Sequence, residues 1–219
     1  MRKIFVEVFS EIPLIDGLMV GFFKKIIGLI LLALLVASGW VLWRAPDPLY
    51  QLEIWRGMGR FFHYDCQISA AAEKQGLDPF LVKALVWKAS GFDSAKVGKY
   101  GERGLMQLSR STGEDWAKAE KIETFIFSDL FDPKTNLDVG TWSLKRAMVR
   151  WKGKVNPVPF ALADWFAGAP AVDRWVEASG RGEDAQAEDL VLAIDIPEVR
   201  QSVQEIIGRK NSYSEIGSL

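Results

Sequence analysis

Cysteine and histidine are nearly absent from this sequence, and their scarcity removes several classes of site. Cys66 is the one cysteine among 219 residues, so the chain forms no internal disulfide. His63 is the one histidine, which excludes a histidine-rich zinc site and the paired-histidine helix of metalloproteases. A Ser-His-Asp triad would have to use His63, but no Gly-x-Ser-x-Gly motif accompanies it. The sequence therefore predicts neither a metal ion nor a cofactor.

Long runs of charge and of alternating residues are missing as well. The formal net charge is −1, and without a basic run the chain lacks the pattern of a nucleic-acid-binding surface. Charged residues make up 25% and apolar residues 49%, which is typical of a globular chain. Because no segment alternates between apolar and polar residues, we expect a mainly all-α fold.

One long uncharged run lies near the N-terminus. Residues 26–43, IIGLILLALLVASGWVLW, have about the minimum length of a membrane-spanning helix. Two lysines precede the run and two tryptophans lie at its far end, as interfacial anchors do. A cleavable signal peptide is the alternative interpretation, with a weak cleavage site at 36–38, although the segment ahead of the run is long for such a signal.

These features divide the chain into five predicted parts. A slight excess of basic residues before the run favours a cytoplasmic N-terminus and a periplasmic C-terminal domain, with one helix in the inner membrane. The predicted parts are a cytoplasmic segment at 1–25, a transmembrane helix at 26–43, a linker at 44–60, a domain at 61–212 and a tail at 213–219.

Several segments of the predicted domain carry helix signals. Asp78 and Pro79 predict an N-cap and a first helical residue. Ser111 and Glu114 have the spacing of a capping box. Residues 136–151 carry apolar residues at helical spacing. Proline starts and glycine ends predict two further helices, from Pro159 to Gly168 and from Pro197 to Gly208.

Five short motifs occur in these segments in a recognisable order. They are AAEKQGLDPFLVKALVWKAS, GERGLMQLSRSTGEDWA, LFDPKTNLDVGTWSL, PFALADWFAG and VDRW. In this order they resemble the soluble lytic transglycosylase family over residues 64–213. The resemblance implies a lysozyme-like helical domain that acts on peptidoglycan.

The resemblance also implies a catalytic acid that this chain lacks. In the family, one glutamate protonates the glycosidic oxygen between N-acetylmuramic acid and N-acetylglucosamine. It then removes the proton of the C6 hydroxyl, so that a 1,6-anhydro ring forms without water. The matching position here is Ala89, in the stretch VWKASGFDS. Since general acid–base catalysis contributes about 10² to 10⁴-fold, we expect catalysis to be impaired or lost.

A second departure from the family lies on the other side of the implied groove. The family usually shows Tyr-Asn-Ala-Gly there, and the matching residues are Trp165 and Phe166, followed by Ala167 and Gly168. Two polar groups are thus replaced by apolar rings. This clustering favours natural loss of the reaction, while an engineered glutamate-to-alanine change stays an open alternative.

Other carboxylates are poor substitutes for the missing acid. Asp93 follows the expected end of its helix, and Asp164 precedes Trp165, so we interpret both as caps or surface charges. Glu102 is the better candidate, because the GERG turn resembles an element that lines the substrate groove.

The residues that remain resemble a binding groove around Ala89. Gln107 matches a family glutamine that hydrogen-bonds substrate. Ser90 either contacts a substrate oxygen or caps its helix, and Trp165 either stacks on a sugar or fills space. The expected substrate-binding set is Ser90, Gly101, Glu102, Gly104, Gln107, Trp165 and Phe166, in which the glycines let backbone approach the ligand.

Two functions of different class follow from this pattern. The first is a membrane-tethered protein that binds peptidoglycan strands with little or no cleavage. The alternative is a non-enzymatic scaffold for a partner protein of the cell envelope.

Overall fold

The computed structural model describes residues 13–44 and 61–217. The chain divides into two compact units, Met1–Arg56 and Gly57–Leu219. Of the predicted parts, the start of the cytoplasmic segment (1–12), the linker beyond residue 44 and the last two residues of the tail lie outside the described residues.

In the described part of the first unit, residues 13–44, helix α1 spans Pro13–Arg44. The large apolar side chains described in it are exposed, among them Leu29 at 66% and Leu35 at 70%. Across 13–44 and 61–217, no helix was found that combines the length and the apolar character needed to cross a membrane. The predicted spanning segment, 26–43, falls within α1, and the side chains of its residues 41–43 lie outside those described.

The second unit consists mainly of α-helices in its described part, which confirms the all-α prediction. Between Ser90 and Arg110 the chain forms only isolated β-bridges, in which Arg103 pairs with Val97 and with Leu108. Short 3-10 turns lie at Phe127–Phe131 and Gly182–Asp184. The helices are α2 (Asp65–Gln75), α3 (Pro79–Ser90), α4 (Arg110–Glu120), α5 (Pro133–Arg150), α6 (Val158–Ala167), α7 (Ala169–Ala178), α8 (Ala187–Ala193) and α9 (Pro197–Ile216).

Local capping chemistry decides where α3 and α4 begin. The Asp78 carboxylate accepts a hydrogen bond from the Phe80 N–H at 2.9 Å, as predicted for an N-cap. For α4 the prediction of a Ser111–Glu114 capping box is wrong. Ser109 is the N-cap, and its hydroxyl accepts from the Thr112 N–H at 3.2 Å. The chain is already extended at Ser109 as it leaves the β-bridge, so the helix starts two residues earlier.

The last helix extends beyond its predicted end near Gly208. Helix α9 continues to Ile216 and is closed by Gly217, which adopts a φ of +67°. Tyr213, which the sequence prediction placed in the tail, is fully buried. A glycine inside a helix costs about 1 kcal/mol relative to alanine, and the burial of Ile206 before it and Tyr213 after it outweighs that cost.

Helix α3 lies at the centre of the second unit. It packs against α2 on one side and α9 on the other. Its residues from Leu81 to Val86 are all exposed by 1% or less, so nearly the whole circumference of this stretch is buried. Because close packing on all sides fixes the rotation of the helix, it also fixes the direction in which its last turn points.

A lysine stands among these buried residues. Lys83 is fully buried, and its ammonium lies 2.9 Å from the carboxylate of Asp65 at the start of α2. It also lies 4.1 Å from the ring centre of Phe61 and 5.4 Å from that of Tyr213. Burial lowers the pKa of Lys83, and the hydrogen bond and charge of Asp65 oppose that shift. Lys83 on α3 therefore contacts both the start of the unit, through Asp65 and Phe61, and α9, through Tyr213.

We predict that Asp65→Ala lowers the free energy of unfolding of the second unit by about 3 kcal/mol, because the buried ammonium loses its carboxylate. The measurement is urea unfolding followed by tryptophan fluorescence. The control is Lys74→Ala, which removes a pair with Asp138 at 3.4 Å whose lysine is 57% exposed, with an expected loss of about 0.5 kcal/mol.

A pH series gives a second readout of the same charge. With a lowered lysine pKa, the native protein binds fewer protons than the unfolded chain in the alkaline range below 10.5. The free energy of unfolding of the unmodified protein should therefore rise with pH in that range, relative to that of the Lys83→Met variant. Equal losses for Asp65→Ala and Lys74→Ala, or parallel pH curves, would contradict this role for Lys83.

Candidate functional site

A cleft of about 690 Å³ lies in the second unit where α3 and α6 end. Its walls come from the last turn of α3, the 96–109 loop, α4, α5 and the end of α6. Five of the residues predicted from the sequence line it together: Ala89, Glu102, Gln107, Trp165 and Phe166. Ser90, Gly101 and Gly104 do not line the cleft.

The last turn of α3 and the loop after it bring a methyl group and two ammonium groups to the cleft. Ala89 is half-buried, and its backbone carbonyl accepts a hydrogen bond from the Lys96 ammonium at 2.7 Å. The neighbouring Lys88 ammonium lies 2.5 Å from the carboxylate of Glu205 on α9. The hydrogen bond from Lys88 holds the pKa of Glu205 below its ordinary value. The end of α3 therefore offers hydrogen-bond donors and positive charge, and no acid.

Ser90 serves its own helix. Its side chain is buried, and its hydroxyl donates to the carbonyl of Val86 at 3.2 Å, one turn earlier. The alternative interpretation of Ser90, a role at the helix end, is therefore supported, and its contact with substrate stays a prediction. Gly91 follows with a φ of +63° and closes the helix.

The two glycines of the 101–107 turn shape its backbone. Gly101 and Gly104 adopt φ values of +89° and +78°, which favour glycine. A side chain on Gly104 would also collide with the Leu130 carbonyl and the Asn136 amide. The close approach at Gly104 is made by the protein itself, and the prediction that these glycines let a ligand approach stays a prediction.

The side chain of Gln107 holds the 96–109 loop through its amide nitrogen and leaves its amide oxygen available as an acceptor. Its backbone is in the left-handed region at a φ of +50°, which is strained for a residue with a side chain. Its Nε2 donates to the carbonyls of Lys96 at 3.0 Å and Gly104 at 2.8 Å. Oε1 accepts no hydrogen bond from the residues that the structure describes, so it is available to a hydroxyl or amide N–H of a ligand.

The carboxylates near the cleft accept hydrogen bonds from neighbouring groups of the protein. Asp164 accepts from Arg150 Nη1 at 2.8 Å and from Trp151 Nε1 at 3.0 Å, which holds the end of α6 against α5. Glu102 accepts from the Tyr100 N–H at 3.0 Å within its own turn. Asp93 accepts from the Ala95 N–H at 3.0 Å, as expected for a cap.

The far wall of the cleft is aromatic. Trp165 is half-buried, and Phe166 is 37% exposed at the end of α6. Aromatic faces of this kind contact apolar faces of a ligand, while Gln107 and the basic side chains supply hydrogen bonds. The arrangement is suited to holding an extended polar ligand.

Comparison with known proteins decides the family. Residues 67–187 match the family described as Transglycosylase SLT domain, which is more than half of the chain. The chain belongs to this family. The resemblance seen in the five sequence motifs is thereby confirmed.

Individual relatives of this SLT-domain protein agree with the family. It is 28% identical over 143 residues to membrane-bound lytic murein transglycosylase F of Desulfosudis oleivorans, across 64% of this chain and 27% of that protein. An inactive variant of the lytic transglycosylase Slt from Pseudomonas aeruginosa gives a TM-score of 0.61 at 22% identity, covering 70% of this chain and 24% of that one.

The 70 kDa soluble lytic transglycosylase of Escherichia coli gives a TM-score of 0.62 at 21% identity, covering 71% of this chain and 24% of that one. These likenesses confirm the lysozyme-like helical fold. The chain spans about a quarter of the length of these relatives.

One residue that holds the cleft of this SLT domain together was missed by the sequence analysis. Asn136 is fully buried on α5, where its Oδ1 accepts from the Met106 N–H at 2.8 Å. Its Nδ2 donates to the carbonyls of Arg103 at 2.8 Å and Leu130 at 2.7 Å. The sequence did contain a signal for this residue. Asn136 is four residues before Gly140 and so lies on the inward face of α5, and a buried amide requires hydrogen-bond partners.

We predict that Asn136→Ala lowers the free energy of unfolding by about 3 kcal/mol, since one N–H and two carbonyls lose their partner in a buried place. The measurement is urea unfolding, with Asn211→Ala as the matched control. Asn211 is exposed on α9, and its substitution should change stability by about 0.5 kcal/mol or less. Similar values for both variants would show that Asn136 does not organise the turn.

Proposed function

We propose that this protein binds peptidoglycan glycan strands in the cleft and cleaves them slowly or not at all. The observation that carries the proposal is Ala89 on the cleft wall. The sequence motif around Ala89 resembles one in which the family has its catalytic glutamate at this position. The same cleft is lined by Trp165, Phe166 and Gln107. It thus combines the parts of a binding groove with a position that cannot transfer a proton.

Binding is supported by family membership and by the shape and chemistry of the cleft. Its volume lies within the range of about 300 to 1,000 Å³ that is usual for ligand sites. A glycan strand presents hydroxyl and amide groups at its edges and apolar faces on its rings. Gln107 Oε1 accepts from such edges, and Trp165 and Phe166 offer faces for the rings.

The loss of catalysis is supported by the surroundings of Ala89. A general acid in this reaction needs a carboxyl group with a raised pKa at the end of α3. Lys96 donates to the Ala89 carbonyl instead, and positive charge beside a carboxyl group lowers its pKa. The fold does not depend on an acid there, because burying an unpartnered polar group costs free energy and alanine avoids that cost.

Attachment to the inner membrane through α1, with the cleft in the periplasm, is a further part of the proposal. The uncharged run at 26–43 supports it, as do the exposed apolar side chains described in α1, such as Leu29 and Leu35. The relative from Desulfosudis oleivorans carries the name membrane-bound. Tethering would restrict binding to strands close to the membrane.

We predict that the protein is retained on purified peptidoglycan sacculi and releases no soluble muropeptides. Gln107→Ala should weaken retention about five-fold, because a hydrogen bond to the strand is lost. The measurement is co-sedimentation with sacculi, with mass spectrometry of the supernatant. Gln204→Ala, on the exposed surface of α9, is the matched control and should bind normally.

Two outcomes of this experiment would count against the proposal. Absence of retention at any salt concentration would exclude glycan binding and favour a scaffold for a cell-envelope protein, with Phe166 as the first surface to mutate. Release of muropeptides would show that another group acts as the acid, with Glu102 as the first to test.

The orientation of the protein has its own test. A reporter fused after residue 60 should be active when it is a periplasmic reporter and silent when it is a cytoplasmic one, because the basic residues before the run favour a cytoplasmic N-terminus. Cytoplasmic activity would contradict the orientation and would separate the cleft from peptidoglycan.

A further inference from the structure

Arg103 carries a charge for which the described part of the chain supplies no counter-ion. Its side chain is half-buried and forms neither an ion pair nor a hydrogen bond with residues in 13–44 and 61–217. Its Nε is buried without a hydrogen-bond partner. Because an unpartnered charge in a partly buried place costs free energy, this guanidinium is a candidate for a partner from outside the chain.

Backbone contacts on several sides hold Arg103 in place. Its N–H donates to the Leu108 carbonyl at 3.0 Å, and its own carbonyl accepts from Asn136 Nδ2 at 2.8 Å. The two β-bridges pair it with Val97 and with Leu108. The fold therefore determines where this side chain starts, and it starts at the same place whether or not a ligand is bound.

An aromatic ring holds the guanidinium of Arg103 and brings a second one close to it. The Cζ of Arg103 lies 3.9 Å from the ring centre of Phe127 and 4.9 Å from that of Phe131. The Cζ of Arg110, at the start of α4, lies 4.5 Å from the same Phe127 ring centre. Stacking restrains a guanidinium and leaves its in-plane N–H donors to other partners. The shared ring thus keeps two cationic groups close enough for one small anion to contact both.

The carboxylates on these elements do not balance the charge of Arg103. Glu114 pairs with Arg110 at 3.7 Å, but both side chains are more than half exposed, so this pair is weak in water. Asp129 lies in the same 3-10 turn as Phe127 and accepts from the Ile126 N–H at 2.9 Å. Neither carboxylate forms an ion pair with Arg103, so an anion from solution can supply the missing charge.

We propose that Arg103 and Arg110 form a binding site for a phosphate group, separate from the cleft. Neither arginine lines the cleft, so the site does not depend on the proposed binding of glycan strands. A planar guanidinium donates two parallel hydrogen bonds to the oxygens of a phosphate. A phosphate dianion has charge and oxygens for both guanidinium groups, whereas a single carboxylate has the charge and the oxygens for one.

The phosphate group can belong to free phosphate or to the headgroup of a lipid. Ile126, directly before Phe127, is 61% exposed. An exposed apolar side chain beside two cations contributes to binding of a lipid, through contact with its acyl chains, and not to binding of free phosphate. The two sources share the same contacts with Arg103 and Arg110, and they differ in the contact with Ile126.

The test is calorimetry with inorganic phosphate on the full chain in an uncharged mild detergent. Phosphate should bind, and its affinity should fall as salt rises, because exposed charges are screened. Arg103→Gln should weaken binding about ten-fold, and Arg110→Gln about five-fold, since each removes charge-assisted hydrogen bonds. Arg103→Lys should weaken it as well, because an ammonium keeps the charge and loses the paired donors.

Arg174→Gln is the matched control, since Arg174 is exposed on α7 and should bind phosphate normally when replaced. Urea unfolding checks that Arg103→Gln is folded, and Arg110 is exposed, so its variant keeps the test valid by itself. The same titration in nanodiscs that contain phosphatidic acid identifies the source. Loss of phosphate binding there, restored by nanodiscs of phosphatidylcholine, supports a lipid headgroup in the site, and unchanged binding supports free phosphate.

Three results would overturn the inference. Absence of phosphate binding would reject the site. Equal affinity of the unmodified protein and the two glutamine variants would show that phosphate binds elsewhere, for example at the basic side chains of the cleft. Acetate that binds as tightly as phosphate would show a general site for carboxylates. All three results are independent of whether the cleft retains glycan strands.

Discussion

Three hydrogen bonds of one buried amide, that of Asn136, hold the loop that forms the floor of the cleft. They join α5 to the Met106 N–H and to the carbonyls of Arg103 and Leu130. The close approach requires glycine at 104, where a side chain would collide with the same amide. With the loop held in this way, Gln107 is kept in a left-handed conformation and faces the cleft. The hydrogen bonds that the buried Asn136 amide requires thus also hold the loop that carries Gln107 at the binding surface.

The contacts that hold the cleft in place do not involve a catalytic acid. The end of α3 is held by the burial of α3 between α2 and α9 and by the Lys88–Glu205 pair. The end of α6 is held by Asp164 through Arg150 and Trp151. Since the fold and the cleft are stabilised by groups other than the one at position 89, a methyl group there leaves both in place. Because the scaffold is separate from the chemistry, a member of the family can keep its groove when position 89 carries no carboxyl group.

Much of the fold could be predicted because capping chemistry is local. Asp78 with Pro79 and Pro159 with Gly168 mark helix boundaries that the structure confirms. Gly208 misled the prediction, because burial of Tyr213 continues α9 past a residue that would end an isolated helix.

The site was only partly predictable. Ala89, Gln107 and the aromatic pair came from motif positions, and all of them line the cleft. For Ser90 the sequence left two interpretations open, although its place one helical turn after the buried Val86 favours the role within the helix. Outside the cleft, Arg103, Arg110 and Phe127 belong to three different elements, so no local pattern identifies their stacking.

The central claim is that the cleft holds a strand without cutting it, and the Ala89→Glu variant tests it most directly. Muropeptide mass spectrometry after incubation with sacculi compares the variant with the unmodified chain. The account predicts no 1,6-anhydro product from the unmodified chain and little from Ala89→Glu, because Trp165 and Phe166 still replace the polar groups that the family has there. Full activity of Ala89→Glu would instead indicate that one engineered change removed the acid from an intact site. Anhydro product released by the unmodified chain and abolished by Glu102→Gln would contradict the account.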